Sequence, residues 1–187
     1  MPTKRTAGRF AAVTAGITAA VSAAAVVSAA ALARTAAPDA ARPAVAGPAC
    51  RPGALRLRLA GTDTGAGSTA LTVAITNRSA AACSLSGYPA LRLLRAGGAP
   101  VAARTGHGRG PLFAGLSGGA VRLRPEGQAS FFLVYRDFNP RTGRPGPVVS
   151  ALKVGLRGVA GRLTVAARFA PHGPISVSPV RAGARKE

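Results

Sequence analysis

The sequence predicts an all-β domain, an antiparallel immunoglobulin-like β-sandwich that follows a signal peptide and a short disordered linker. Three observations predict it: short runs of alternating apolar and polar residues, turn residues between these runs, and the lack of an amphipathic segment of helix length. The 24 glycines and 15 prolines supply the turns, and the chain has no tryptophan. Because a buried tryptophan is a hallmark of true immunoglobulin domains, 'immunoglobulin-like' describes the architecture here and does not imply kinship.

The individual strands are predicted from their alternation. Leucine alternates with arginine in Leu55–Leu59, so the leucines face a core while Arg56 and Arg58 face water. Residues 131–135 are apolar on both faces, which is typical of the most buried strand. Further strands are predicted at 71–76, 90–95, 121–124, 152–157 and 163–169, with a last edge piece at 175–177. Residues 104–119 contain six glycines and are predicted to form a loop.

The N-terminal 33 residues have the pattern of a signal peptide. Three basic residues precede an uncharged stretch at 10–27, and small residues before position 34 favour cleavage after Ala33. An uncleaved membrane anchor is the alternative. A Pro/Ala-rich linker at 34–49, the β-sandwich at 50–180 and a basic tail at 181–187 complete the predicted domain organisation. We therefore expect a secreted, extracytoplasmic protein without a stable membrane span after cleavage.

The two cysteines, Cys50 and Cys83, are predicted to form a disulfide, since two cysteines in an exported chain normally pair. The bond would close a loop of about 34 residues and stabilise the domain by about 3.5 to 4 kcal/mol in the chain-entropy treatment. No metal site and no cofactor are predicted, because the cysteines and the two histidines lack the spacing of a ligand cluster.

The charge is strongly one-sided. The chain has 25 Lys and Arg against five Asp and Glu, a net charge of +20, and the predicted domain alone carries +14. Coding bias toward arginine, together with solubility, is the preferred explanation of this charge, and the partners that a functional basic surface would favour are acidic envelope polymers or another secreted protein. Sequence-specific nucleic-acid binding is not predicted, because aromatic residues do not interleave with the basic ones. The outward-facing pairs of two strands form the candidate anion-binding set: Arg56, Arg58, Arg122 and Arg124.

A Gly-Tyr-Pro sequence follows the second cysteine and is predicted to be a structural turn. Gly87 allows a positive φ, Tyr88 is held extended because it precedes proline, and Pro89 fixes its own φ. The Tyr88 ring can cover the core with its hydroxyl group outward, and a ligand-stacking role is the less favoured alternative.

One motif suggests catalysis. Gly115-Leu116-Ser117-Gly118-Gly119 fits the serine-hydrolase pattern, and Asp137 and His172 follow in the matching order. The context argues against it, because a nucleophile elbow needs a strand before it and a helix after it. His107 and His172 are both expected in exposed loops, where replacement of either, or of Ser117, should leave function nearly intact. No catalytic residue is therefore predicted.

Two segments carry a resemblance to a known family. The stretch LTVAITNRSAAACSLSGYPALRLLRAGGAPV resembles the first signature of an exported actinobacterial family catalogued as domain of unknown function 4232, and VRLRPEGQASFFLVYRDF is similar to its second. The matching positions are Thr76, Asn77, Cys83, Leu85, Gly87, Tyr88, Pro89, Leu123, Pro125, Gly127 and Ala129. The resemblance spans residues 50–170 and implies an extracytoplasmic β-sandwich without an established activity.

Together these observations favour a secreted, non-enzymatic β-sandwich that acts as a binding or interaction module at the cell envelope. A small secreted hydrolase with an unrecognised site is the alternative, and a purely structural accessory domain is a third reading.

Overall fold

A computed structural model of the protein describes residues 47–183. The predicted signal peptide, most of the predicted linker and the last four residues of the predicted tail lie outside the described residues. The described part of the chain is all-β and contains ten strands and three short 3₁₀ helices. The strands are β1 Leu55–Gly65, β2 Ser68–Asn77, β3 Cys83–Leu94, β4 Thr105–His107, β5 Val121–Leu123, β6 Gln128–Arg136, β7 Val149–Arg157, β8 Leu163–Phe169, β9 His172–Val177 and β10 Arg181–Ala182. The 3₁₀ helices are Pro52–Ala54, Ala96–Gly98 and Pro111–Phe113.

Two sheets form the sandwich. The first has the order β1-β2-β6-β9-β4, with β10 also paired to β6, and the second has the order β5-β3-β7-β8. Neighbouring strands are antiparallel, except that β4 runs parallel to β9. The predicted β-sandwich is therefore confirmed as an all-β architecture of two packed sheets.

The core lies between the sheets and follows the alternation in the sequence. Inward side chains on the first sheet, such as Val73 and Phe131, are fully buried and pack with equally buried side chains on the second, such as Leu152 and Val154. Strand β6 is hydrogen-bonded to β2 on one side and to β9 and β10 on the other. Residues 131–135 are largely buried, as predicted, but β2 is buried to at least the same extent, because all of residues 71–75 are buried.

Two short segments predicted to lie outside the domain are joined to its sheets. Ser84 donates its backbone N–H to the Pro48 carbonyl, and Ala49 forms a parallel bridge with the same serine. At the other end, β10 pairs with β6 through Arg181 opposite Ser130. The segment 175–177, which was predicted to be an edge strand, belongs to β9 and is not at an edge, because β9 lies between β6 and β4. These pairings are long-range, so alternation within one segment does not reveal them.

The Gly-Tyr-Pro sequence is a bulge and not the predicted turn. It lies inside β3, where the pairing with β7 jumps from Ser86 to Ala90 and leaves extra residues on β3. Gly87 adopts a φ of 74° there, which glycine accommodates at no steric cost. Its N–H donates to the Gly118 carbonyl, and its carbonyl accepts from the Val180 N–H. The bulge thus joins β3 to a surface loop and to the C-terminal strand.

A second structural junction is centred on the Asn77 side chain, which is completely buried. Its amide nitrogen donates to the carbonyls of Ala81, Leu123 and Arg124 at 2.8, 3.3 and 3.2 Å. Its carbonyl oxygen accepts from the backbone N–H and the hydroxyl group of Ser79. The end of β2, the β2–β3 loop and the end of β5 are therefore held together by one amide group.

The predicted disulfide is present: Cys50 and Cys83 are bonded, with their Cα atoms 4.8 Å apart. Both cysteines are buried in the core cluster. The bond connects the segment before β1, which is also hydrogen-bonded to Ser84, with the start of β3 in the second sheet.

Candidate functional site

The four arginines of the predicted anion-binding set do not form one patch. Arg56 and Arg58 lie on β1 of the first sheet, whereas Arg122 lies on β5 of the second sheet and Arg124 in the turn after it. All four are exposed. The prediction assumed that the two pairs would sit on neighbouring strands, and the sheet topology separates them.

A different set of cations shares one surface, the outward side of the second sheet, which we call the basic face. Every strand of this sheet contributes, and the outward positions follow from register because alternate residues of each strand are buried. The members of the basic face are Arg92, Arg122, Lys153, Arg157, Arg162 and Arg168, and all of them are exposed. Of these, Arg162 lies in the β7–β8 turn, outside the alternating pattern of either strand, whereas Arg168 occupies an alternating outward position of β8.

The centre of the basic face has a small-residue floor made by Ala90 and Gly155, which are paired across β3 and β7. A Cβ added to Gly155 would lie 3.7 Å from the Ala90 Cβ and 3.9 Å from the Arg162 Cγ, so the arginine stem lies beside this floor. On β7, Lys153 lies two residues before Gly155 and Arg157 lies two residues after it. Their Cα atoms are about 13 Å apart, given the rise of an extended strand.

Like charges face each other directly in this surface. Arg92 and Lys153 are cross-strand partners, which places their Cα atoms roughly 5 Å apart. Directly opposed like charges destabilise a sheet, so this pair lowers stability unless an anion lies between the two groups.

None of the three acidic residues of the described chain lies on a strand of the second sheet. Asp63 is on β1 of the first sheet, and the Asp137 carboxylate accepts a 2.6 Å hydrogen bond from the Thr69 hydroxyl beside that sheet. Glu126 lies in the β5–β6 turn and forms an exposed ion pair with Arg78 at 2.6 Å. The positive field of the basic face is therefore opposed by no acid on the same surface among the described residues.

The hydrolase-like motif is not assembled into a triad. The Gly118 carbonyl accepts a hydrogen bond from the Gly87 N–H, and the Gly87 carbonyl accepts one from the Val180 N–H. Val180 immediately precedes β10, which pairs with β6 at Ser130, so the motif lies near that end of β6. His172 instead pairs with Arg136 at the far end of β6. Ser130 and Arg136 are six residue steps apart on β6, a distance of about 20 Å, so the Ser117 end of the loop is far from the histidine.

Glycine in this motif has a packing role. A Cβ on Gly118 would lie 3.2 Å from the Gly87 Cα, which is closer than ordinary van der Waals contact. Ser117 itself is exposed. The glycine at position 118 of the motif therefore has a structural reason, the close approach of two backbones.

Tyr88 and His107 form a contact that the sequence did not reveal. Their rings are stacked with centroids 3.8 Å apart, and a partly open cavity of about 230 Å³ lies beside them. The tyrosine ring is therefore partnered by a side chain from β4, and His107 lies in that strand and not in the predicted loop. Among the described residues, no three His, Cys, Asp and Glu side chains come together as a metal site.

The sequence family described as a domain of unknown function (DUF4232) matches residues 50–183. The chain belongs to this family. No curated protein and no solved structure matches the chain, so the immunoglobulin-like part of the fold prediction stays a prediction. Within residues 47–183, no helix is long and apolar enough to cross a membrane.

Proposed function

We propose that this protein is an exported, non-enzymatic binding module whose basic face binds an acidic polymer at the cell envelope. The observation that carries the proposal is the opposed pair Arg92 and Lys153, with two further cations around the Ala90–Gly155 floor. A phosphate or carboxylate group placed between opposed cations relieves their repulsion and gains charge-assisted hydrogen bonds. The disulfide is compatible with an extracytoplasmic location.

The shape of the basic face favours an extended ligand over a compact one. The cations are spread over four strands, and the Lys153–Arg157 separation along β7 is about 13 Å. A single phosphate group cannot contact all of them, whereas successive groups of a linear polyanion can. Binding is expected to be salt-dependent, because each neutralised contact releases condensed counterions from the polymer.

A matched pair of double variants tests the proposal with long-chain polyphosphate as the probe. The variant Arg92→Gln/Lys153→Gln removes two charges from the basic face, and Arg56→Gln/Arg58→Gln removes two from the first sheet. We expect the first to weaken binding about tenfold at low ionic strength and the second less than about twofold. Loss of the opposed pair should leave folding stability unchanged or slightly raised, so that weaker binding cannot be ascribed to unfolding.

Two outcomes would contradict the proposal. Equal losses for the two double variants would mean diffuse charge attraction, and the basic face would then have no specific role. Loss of an enzymatic activity by orders of magnitude in Ser117→Ala, with folding unchanged, would favour a secreted hydrolase instead.

Export is tested separately by the intact mass of the protein recovered outside the cell. A mature N-terminus near Arg34 is expected, whereas a product that retains residues 10–27 would indicate a membrane anchor.

A further inference from the structure

The outward side of the first sheet carries a cavity that differs in chemistry from the basic face. It encloses about 300 Å³ and is partly open; its lining consists of Asp63, Ala70, Leu112, Phe132 and Arg181. This volume is at the small end of the range for ligand pockets. The lining combines an apolar floor, one arginine and one carboxylate.

The floor is a rigid aromatic surface. Phe132 points outward from β6 and is nevertheless only 7% exposed. Part of its cover is the Phe113 ring, stacked on it with centroids 5.1 Å apart. The neighbouring Leu112 is 67% exposed at the rim of the cavity, although large apolar side chains are normally covered.

Phe113 is itself fixed by the backbone beneath it. A Cβ on Gly108 would lie 2.0 Å from the Phe113 ring, so the ring rests directly on that glycine. A side chain at position 108 would therefore displace the Phe113 ring that forms the apolar wall of the cavity.

Arg181 provides the polar group of the cavity. Its guanidinium carbon lies 5.7 Å from the centre of the Phe132 ring, which is a cation–π contact. Its Nε is buried and has no hydrogen-bond acceptor within residues 47–183. A buried donor normally has an acceptor, so this unsatisfied N–H favours a ligand that brings an oxygen atom to it.

We propose that this cavity binds a small organic carboxylate with an apolar or aromatic body. The planar guanidinium group matches a carboxylate, and the body of the ligand would lie between Phe132 and Leu112. The site lies on the opposite sheet from the basic face and does not depend on polymer binding.

Three probes separate the contributions of the aromatic ring and the carboxylate to binding. Phenylacetate has both groups, 2-phenylethanol lacks the charge, and acetate lacks the ring. Binding to the full chain is followed by ligand-observed NMR. Phenylacetate, with about ten heavy atoms, is expected to bind with a Kd on the order of 1 mM, and the other two much more weakly. Polyphosphate should not displace it, which distinguishes this site from the basic face.

Arg181→Gln should weaken phenylacetate binding about tenfold, because a charge-assisted contact is lost. Arg168→Gln, which removes the same charge from the other sheet, should leave binding unchanged. If thermal unfolding shows that Arg181→Gln is not folded, Arg181→Lys replaces it and should weaken binding through loss of the planar fork. Equal effects of the two positions, equal binding of acetate and phenylacetate, or no phenylacetate binding in the wild-type protein would each overturn the proposal.

Discussion

The Asn77 side chain offers the sharpest test of how this fold is held together. In Asn77→Ala the amide group that bonds three carbonyls and two Ser79 donors is lost, and no other described side chain replaces it. A net contribution of about 1 kcal/mol per hydrogen bond, plus the cost of carbonyls left buried without a donor, gives a loss of about 3 to 4 kcal/mol. For a domain of this size that loss lowers the Tm by roughly 10 °C.

Asn77→Asp makes the test more specific, because it preserves shape while changing one atom. The new oxygen would replace the amide nitrogen that now faces the carbonyls of Ala81, Leu123 and Arg124. At neutral pH a buried carboxylate facing three carbonyl oxygens should destabilise the domain at least as much as alanine does.

The assay is urea-induced unfolding of the oxidised protein, followed by circular dichroism. Asn139→Ala is the matched control, since within residues 47–183 the Asn139 side chain accepts a single exposed hydrogen bond, from the Arg141 N–H. It should cost less than about 1 kcal/mol. A cost for Asn77→Ala below that of the control, or a stable Asn77→Asp, would refute the assignment of this junction to the asparagine side chain.

Three further outcomes follow from the packing and the charges. Reduction of the Cys50–Cys83 bond should lower the free energy of unfolding by about 3.5 to 4 kcal/mol, and the native protein should show no free thiol on titration. Gly127→Ala, whose Cβ would lie 2.7 Å from a turn carbonyl, should cost more than about 2 kcal/mol in urea unfolding, whereas Gly53→Ala, with open space around it, should be nearly neutral. Burial raises the pKa of Tyr135 above 10.0. The contribution of this residue to stability is therefore present at neutral pH and is lost as the pH rises above 10 through the folded-state pKa. Tyr135→Phe should reduce this alkaline loss when the free energy of unfolding is measured against pH.

Local patterns in the sequence predict the strands well, because burial on one face of a strand imposes a period of two. Leu55–Leu59 and residues 131–135 occupy the strands expected of them. The prediction of a turn at the Gly-Tyr-Pro sequence was wrong for a physical reason. Its glycine and proline specify backbone angles at two residues, but a bulge and a turn can share those angles, and only the partner strand distinguishes them.

The candidate site was harder to predict, because it depends on which strands share a sheet. Arg56 and Arg122 have the same local pattern and yet lie on different sheets. Arg181 was assigned to a tail because nothing near it in sequence indicates the pairing with Ser130. Alternation therefore predicts which side chains face outward, but not which outward side chains meet.

The positions that resemble the family signatures are mostly structural in this protein. Asn77 and Cys83 are buried, and Gly87 joins three segments through its backbone. Gly127 has no space for a side chain, and Ala129 is completely buried. These residues specify the disulfide, the bulge and the β5–β6 turn.

The residues proposed to bind ligands lie outside those signature positions. The basic face and Arg181 occupy outward surfaces of two sheets, where a substitution changes charge without disturbing the core. Membership in the family therefore predicts the scaffold of this chain and not its ligand. Since the two outward surfaces belong to different sheets, charge-removing variants on one should leave binding at the other unchanged, and each ligand can be sought independently.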